Sequence, residues 1–402
     1  MKRTVFSAII VIVVIALMLG GCAAPAPAPA TAPSPAPAPT PGKVEYPAPV
    51  PAPAPVVKPV PVPAPTPKSE KPIEIRFAHH NPPAGRTTVE YLTPWAKKIE
   101  EATKGRVKVT EYPAQSLCKA NEMVGAVAGG LADMSWVIHG FFPGQFPLTS
   151  VMRLPFINLP DGKIEGRDAA SSEMNSLLVQ ELYETFPEVQ AEYSKVKVIY
   201  LHATHPYFLA TRDRPVRNLE DLKGLKVREL GGPPTDMWKL LGANPMLVPM
   251  PGSYEAADKG VIDGMGMPWG AIATFKLYEV FDYWTDVPTC VSNFAIIMNK
   301  EKWNSLPPDI QKAIMDIGGK KGAVFAGNRS SGFGVKDEGL AMAKRDNQKF
   351  ERISLDPGEL ERWKEIAGPP MWEKWVADME AKGLPGQKIF DGALSLLEKY
   401  KD

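Results

Sequence analysis

Between Ala23 and Lys68 the chain carries 18 of its 43 prolines, most of them alternating with alanine. Such a run forms neither helix nor sheet, because each proline fixes φ and removes a backbone N–H. Alternating Ala-Pro favours extended polyproline II at about 3.1 Å per residue, so residues 23–68 would span on the order of 140 Å. Any folded body therefore begins near Ser69. From there to Asp402 the chain is long for one hydrophobic core and suits two domains.

Ahead of the proline run, Lys2 and Arg3 precede an apolar stretch, Ala8 to Leu19. Charge followed by grease is the order of a secretory signal. The stretch is short for a hydrocarbon layer of about 30 Å, and a membrane-spanning anchor is the alternative. Leu19-Gly20-Gly21-Cys22 resembles the lipobox of bacterial lipoproteins. That resemblance implies removal of a signal peptide, residues 1–21, and acylation of Cys22. Residues 22–68 then form a lipidated linker holding the body outside the cytoplasm, in the periplasm or on the outer face of the cytoplasmic membrane. Each buried methylene contributes about 0.8 kcal/mol, so several acyl chains hold far better than one.

Charge and motifs narrow the function. Lys and Arg number 46 against 45 Asp and Glu, so no bulk positive charge draws the chain to nucleic acid. Cys118 and Cys290 either pair or stay as buried free thiols. There is no Cys/His zinc spacing, Walker loop or G-x-S-x-G elbow, and the five histidines are scattered, so neither metal nor cofactor is expected. Glu122, Asp133, Asp236 and Asp263 are isolated acids without a paired nucleophile and base, which argues against an enzyme.

The body alternates strand-like and helix-like segments. "IEIRFAHH" (Ile73 to His80), "RVKVTEYP", "MSWVIHG", "KVKVIYLHAT" and "LKGLKVREL" read as strands, separated by helical runs such as Thr88 to Gly105. Regular alternation predicts parallel sheets in α/β layers. After Val291 one more strand, "SNFAIIMNK", is followed by helical stretches over Pro308 to Lys321, Gly322 to Lys349 and Pro357 to Lys382. Trp363, Trp372 and Trp375 recur near helical spacing and are expected to stitch the C-terminal helices to the body.

Five collinear blocks carry a family resemblance: "EYPAQSLCKANEMVGAVAGGLADM", "GQFPLTSVMRLPF", "RPVRNLEDLKGLKVREL", "YEAADKGVIDGMGMP" and "FAIIMNKEKWNSLPPDIQKAI". Over Ile73 to about Ala326 the chain resembles the DctP-type extracytoplasmic solute receptors of TRAP (tripartite periplasmic) transporters. The resemblance implies a periplasmic-binding-protein-like fold: two discontinuous α/β domains, a ligand cleft between them and a long helix spanning both. One domain would combine residues 69–205 with 293–332, the other 206–292 with 333–402. The stretch after Gly322 is the candidate for the long helix, with Gly332 and Gly334 placed to break it. Delivery to a membrane permease is implied as well. A receptor for an ATP-driven importer and a ligand-sensing lipoprotein are the alternatives.

Arg228 is the leading candidate for ligand contact. It ends the strand "LKVR" just before Glu229-Leu230-Gly231-Gly232, and strand ends are where α/β sheets bind ligands. A guanidinium fork matches the two oxygens of a carboxylate, and Gly231 lets the backbone come close. Read from its neighbours alone, Arg228 could equally pair with Glu229 or Asp236. In the family, the arginine at this position clamps the substrate carboxylate. Sialic-acid-type receptors carry a second arginine where this chain has Phe208, a polar E-N-P where it has Gly266-Met267-Pro268, and an acid at Ile138. The same resemblance turns His80, His139, Met250 and Trp269 toward the pocket, while Trp136 and His202 read as core or loop groups. The exchanges run from polar to apolar and aromatic, which suits a small organic acid with a greasy or flat body. Replacing Cys22 by Ala should move the protein from the membrane fraction to the soluble extracytoplasmic fraction and abolish palmitate labelling. Unchanged labelling would remove the lipid anchor.

Overall fold

The computed structural model describes residues 71–142 and 144–401. Cys22, the signal segment 1–21 and the whole linker 22–68 are sequence expectations that lie outside the described residues.

Thirteen strands are described: β1 Ile73–Ala78, β2 Val107–Tyr112, β3 Met134–Ile138, β4 Gly162–Ile164, β5 Arg167–Ala169, β6 Lys197–Ala203, β7 Phe208–Thr211, β8 Lys226–Glu229, β9 Asn244–Leu247, β10 Gly264–Met267, β11 Tyr283–Asp286, β12 Asn293–Met298 and β13 Glu351–Ser354. They build a five-stranded sheet in the order β2-β1-β3-β12-β6, a six-stranded sheet in the order β13-β11-β7-β10-β8-β9, and the hairpin β4-β5. Each large sheet is covered by helices, giving two α/β halves.

Neither sheet is purely parallel. β1 runs parallel to β2 and β3, but β12 is antiparallel to both β3 and β6. In the second sheet β7 is antiparallel to β10 and β11. The reason is how the chain crosses between halves. β6 passes directly into β7 and β11 directly into β12, so two oppositely directed segments run side by side through both sheets. The crossings are themselves paired: Thr204 N–H donates to the Ser292 carbonyl at 3.1 Å and Tyr207 N–H to the Cys290 carbonyl at 2.7 Å. This two-stranded ribbon is the main covalent link between the halves.

A third link is the helical stretch after Gly319. The expected long helix is broken into Gly319–Ser331 and Val335–Arg345. Gly332 is extended at ψ −169° and Gly334 sits at φ +83°, the left-handed region that favours glycine. The first piece lies on β6 and the helix Ser171–Thr185. Its glycines permit close approach: a Cβ on Gly322 would meet the Tyr200 ring at 2.4 Å, and one on Gly327 the Ser172 carbonyl oxygen at 2.5 Å. Val335 and Ala343 of the second piece belong to the apolar cluster of the other half, with Ile272 and Trp284.

The C-terminal region departs from the expected division. Helix Pro357–Ala367 packs on the second half, where Trp363 is fully buried beside Trp238. The chain then breaks at Gly368 before Pro369, and helices Pro369–Glu380 and Gly386–Lys399 return to the first half. There Trp375, Ile389 and Leu396 share a core with Leu178 and Val189, so assigning all of 333–402 to the second domain does not describe them. Trp372 and Trp375 anchor the return by donating to the Pro155 carbonyl and the Ser150 hydroxyl, both at 2.9 Å. β13 was not legible in the sequence, since of its four residues only Ile353 is buried. Cys118 and Cys290 are free, buried and in different clusters. Gly327→Ala should destabilise the protein by roughly 1–3 kcal/mol, because the clash with the Ser172 backbone outweighs the gain in helix propensity. Urea unfolding checks this; an unchanged midpoint would mean that the two helices are not in contact.

Candidate functional site

Between the two sheets, where the ribbon crosses, lies a cavity of about 60 Å³. One water needs roughly 10–15 Å³, so the space takes several. Arg228 enters it from the end of β8. The residue is 2% exposed, and its Nε donates to the Val248 carbonyl at 2.7 Å. Neither Nη1 nor Nη2 makes a hydrogen bond among the described residues, and Nη2 is fully buried. The neighbouring Glu229 points to the other face of the strand, as alternation requires. Its carboxylate accepts from Leu230 N–H at 2.9 Å and from the Trp238 indole at 3.3 Å. Burial lowers the Arg228 pKa to about 10 against the opposing pull of Glu229, so the guanidinium stays charged at neutral pH.

The rest of the wall is mainly aromatic and thioether. Across the first sheet, Ile138, Phe294 and His202 occupy one register row. Trp136 stacks on Phe294 with ring centroids 4.7 Å apart and on His80 at 5.1 Å, and its indole donates to His202 Nε2 at 2.8 Å. The second sheet contributes Met265, Gly266 and Met267 of β10, with Met250 beside them. Gly266 has no alternative here: a Cβ would stand 2.9 Å from the Trp238 ring. Packing in this half thus excludes the acidic side chain that sialic-acid-type receptors carry at the matching position. Phe275 closes the far side, its ring parallel to that of His80 at 6.5 Å. Arg228 is the one Lys or Arg among the residues lining the cavity.

Of the sequence candidates, Arg228, His80, Met250 and Met267 line this cavity, and four do not. His139 follows β3 on the opposite face from Trp136 and Ile138, so alternation turns it away. It bonds the Tyr193 hydroxyl at 3.0 Å and packs on Phe146. Gly231 adopts φ +95°, and its carbonyl accepts from Arg153 Nη2 at 2.9 Å, a contact between the two halves. Both residues line a separate hollow of about 600 Å³. Phe208 and Trp269 stack on each other at 4.0 Å and face a third hollow. Trp269 opens the helix Trp269–Phe275, its backbone N–H donates to His205 Nε2 at 2.8 Å, and its ring lies on Phe208 outside the cavity lining. Phe275, at the other end of that helix, is the aromatic side chain that reaches the cavity instead.

Sequence reasoning missed Asn81, Tyr207, Ser292, Phe275 and Ser330, and took Trp136 and His202 for core. For Trp136 a signal existed: it lies two residues before Ile138, hence on the same face of β3. Tyr207 and Ser292 sit in the paired crossings, a juxtaposition that no local pattern encodes.

Two α/β halves joined by a ribbon around one cationic cavity define a two-lobed solute-binding protein. The profile of the DctP family, bacterial extracellular solute-binding protein family 7, matches residues 77–378, and the chain belongs to that family as a TRAP extracytoplasmic solute receptor. It is 26% identical over 313 residues to the outer membrane transporter protein TsaT of Comamonas testosteroni, covering 77% of this chain and 87% of TsaT. A TRAP solute-binding protein of Rhodoferax ferrireducens T118, solved with copurified benzoate, superposes with TM-score 0.74 at 25% identity over 82% of this chain and 98% of its own. A marine metagenome TRAP protein specific for aromatic acid ligands, in complex with metahydroxyphenylacetate, gives TM-score 0.75 at 28% identity over 82% and 100%.

Burial depresses the pKa of His80, His139 and His202 to about 3 and that of His205 to about 4. An unfolded chain takes up protons on these rings near pH 6.5, which the folded chain refuses, so stability is full above about 6.5 and is lost as pH falls below it. Glu192, pushed up to about 7 by burial, and Glu229, also raised, act in the opposite sense. Four rings outweigh two carboxyls. The melting temperature should therefore fall between pH 7.5 and 5.5; a rise would show the rings to be solvated.

Proposed function

We propose that the protein captures a small monocarboxylate with an aromatic or apolar body in the cavity between its sheets. The two halves close over the ligand by bending at the ribbon and at Gly332–Gly334. The closed form then hands the acid to a membrane permease, while acylated Cys22 and the proline-rich linker keep it near the membrane. With no nucleotide motif in the chain, an ion gradient at the permease would drive transport.

The observation that carries this reading is the state of Arg228: a buried cation whose two Nη groups have no hydrogen-bond partner among the described residues, inside a mostly apolar wall. A buried charge without a partner is costly, and a carboxylate that supplies two charge-assisted hydrogen bonds offsets that cost. Trp136, Phe294, Met265 and Met267 offer flat and polarisable surface to a ring or short alkyl body. A polyhydroxy acid would leave hydroxyls unpaired against them, at roughly 1–3 kcal/mol per group. The benzoate and metahydroxyphenylacetate named for the two solved relatives support the same class.

Titration calorimetry tests the reading. Benzoate should bind the wild type more tightly than D-glucuronate. Arg228→Met should weaken benzoate roughly a hundredfold or more while thermal unfolding stays cooperative. Unchanged affinity in the variant, or preference for the polyhydroxy acid, would defeat the proposal.

A further inference from the structure

The cavity holds more unpaired polar atoms than a plain aromatic acid can use. Besides Arg228 Nη2, Asn81 Nδ2, His80 Nδ1, His202 Nδ1 and Ser330 Oγ are buried without hydrogen-bond partners among the described residues, and all five residues line the same space. Buried polar groups are normally satisfied, so orphans that share one cavity mark positions that a ligand or water completes. Arg228 belongs to the second sheet. Asn81 and His80 belong to the first half, just beyond β1, and Ser330 lies in the last turn of the helix Gly319–Ser331.

We infer that the ligand carries, besides its carboxylate, a neutral hydroxyl group that bonds Asn81 and His80, so that one molecule ties the two halves together. The inference rests on reading Arg228 as the carboxylate site. A hydroxyl fits because it both donates and accepts: it accepts from the Asn81 amide and donates to the bare nitrogen of a neutral imidazole. It fits equally if the Asn81 amide is turned over, since it then donates to the carbonyl oxygen. A second carboxylate does not fit. Among the described residues Arg228 is the one Lys or Arg lining the cavity, and burial pushes His80 down to about 3, so the lining itself offers no second positive charge. A methyl group does not fit either, because it would seal the orphan atoms from water without pairing them. The ligand class is thus a hydroxylated aromatic monocarboxylate. Closure gains a physical cause: the carboxylate is held by one half and the hydroxyl by the other, so both bonds form only when the halves meet.

The test is calorimetric titration of the full chain with benzoate, the three monohydroxybenzoates, the matching methylbenzoates and isophthalate. At least one hydroxybenzoate should bind roughly tenfold tighter than benzoate, with its methyl analogue and isophthalate weaker than benzoate. In Asn81→Leu the ratio of hydroxybenzoate to benzoate affinity should fall to about one, whatever the change in benzoate affinity itself. If benzoate binds and no hydroxyl isomer gains over it in the wild type, the inference falls and the carboxylate reading stands. A hydroxyl advantage that survives Asn81→Leu also overturns the assignment. If no monocarboxylate binds, both readings fall. The wild-type series decides the matter even if Asn81→Leu fails to fold.

Discussion

A guanidinium held away from water with two of its nitrogens unpaired is the constraint on which the rest of the site depends. Arg228 is tied by Nε to the Val248 carbonyl, which fixes the plane of the fork and aims its Nη edge into the cavity. Glu229 supplies a counter-charge from the other face of β8 but is engaged by Leu230 N–H and the Trp238 indole. The folded protein therefore carries an electrostatic deficit that it does not repair internally. In a medium of low polarity such a deficit attracts an anion more strongly than it would in water. The same low polarity keeps the neighbouring histidines neutral, so the cavity offers one positive charge at neutral pH.

The architecture around the arginine places it between two halves that few chain crossings join. β6–β7 and β11–β12 form one ribbon through both sheets, and the third connection passes over Gly332 and Gly334. Bending at few, narrow connections lets two rigid halves part without disturbing either core. A further covalent crossing at Gly368 leads into the returning helices Pro369–Glu380 and Gly386–Lys399, and the Arg153–Gly231 contact adds a non-covalent tie. Selectivity is coupled to packing in the same way. Trp238 fills the second half's core and forbids a side chain at Gly266, so the apolar wall follows from how that half is built.

Much of this was legible in the sequence where a local rule governs it. Strand–helix alternation gave the layered class, and the glycines at 332 and 334 marked the helix break. Arg228 stood out because a basic residue at a strand end followed by Gly-Gly is a local pattern. The reading failed where one position decides which of two faces a side chain takes. His139 follows a strand whose even-numbered residues face the cavity, so it points the other way, toward Tyr193. Trp269 sits next to Met267 and Pro268, yet the first turn of a helix rotates it onto Phe208 and brings Phe275 in instead. Both strand mixing and the return of the C-terminal helices depend on contacts remote in the chain.

By itself the sequence determined a proline-rich stretch ahead of the body, an α/β layered body and one strand-end arginine beside a glycine pair. Those follow from backbone chemistry and periodicity, which act within a few residues. Only the tertiary structure decided that the Nη groups of Arg228 find no partner among the described residues and that Trp136, Phe294, His202 and Phe275 line the same cavity. It also decided that Asn81 and Ser330 face the same space from the opposite half. The reason is that satisfaction of a buried polar atom depends on every chain segment that reaches it, and here those segments come from residues 80 to 331.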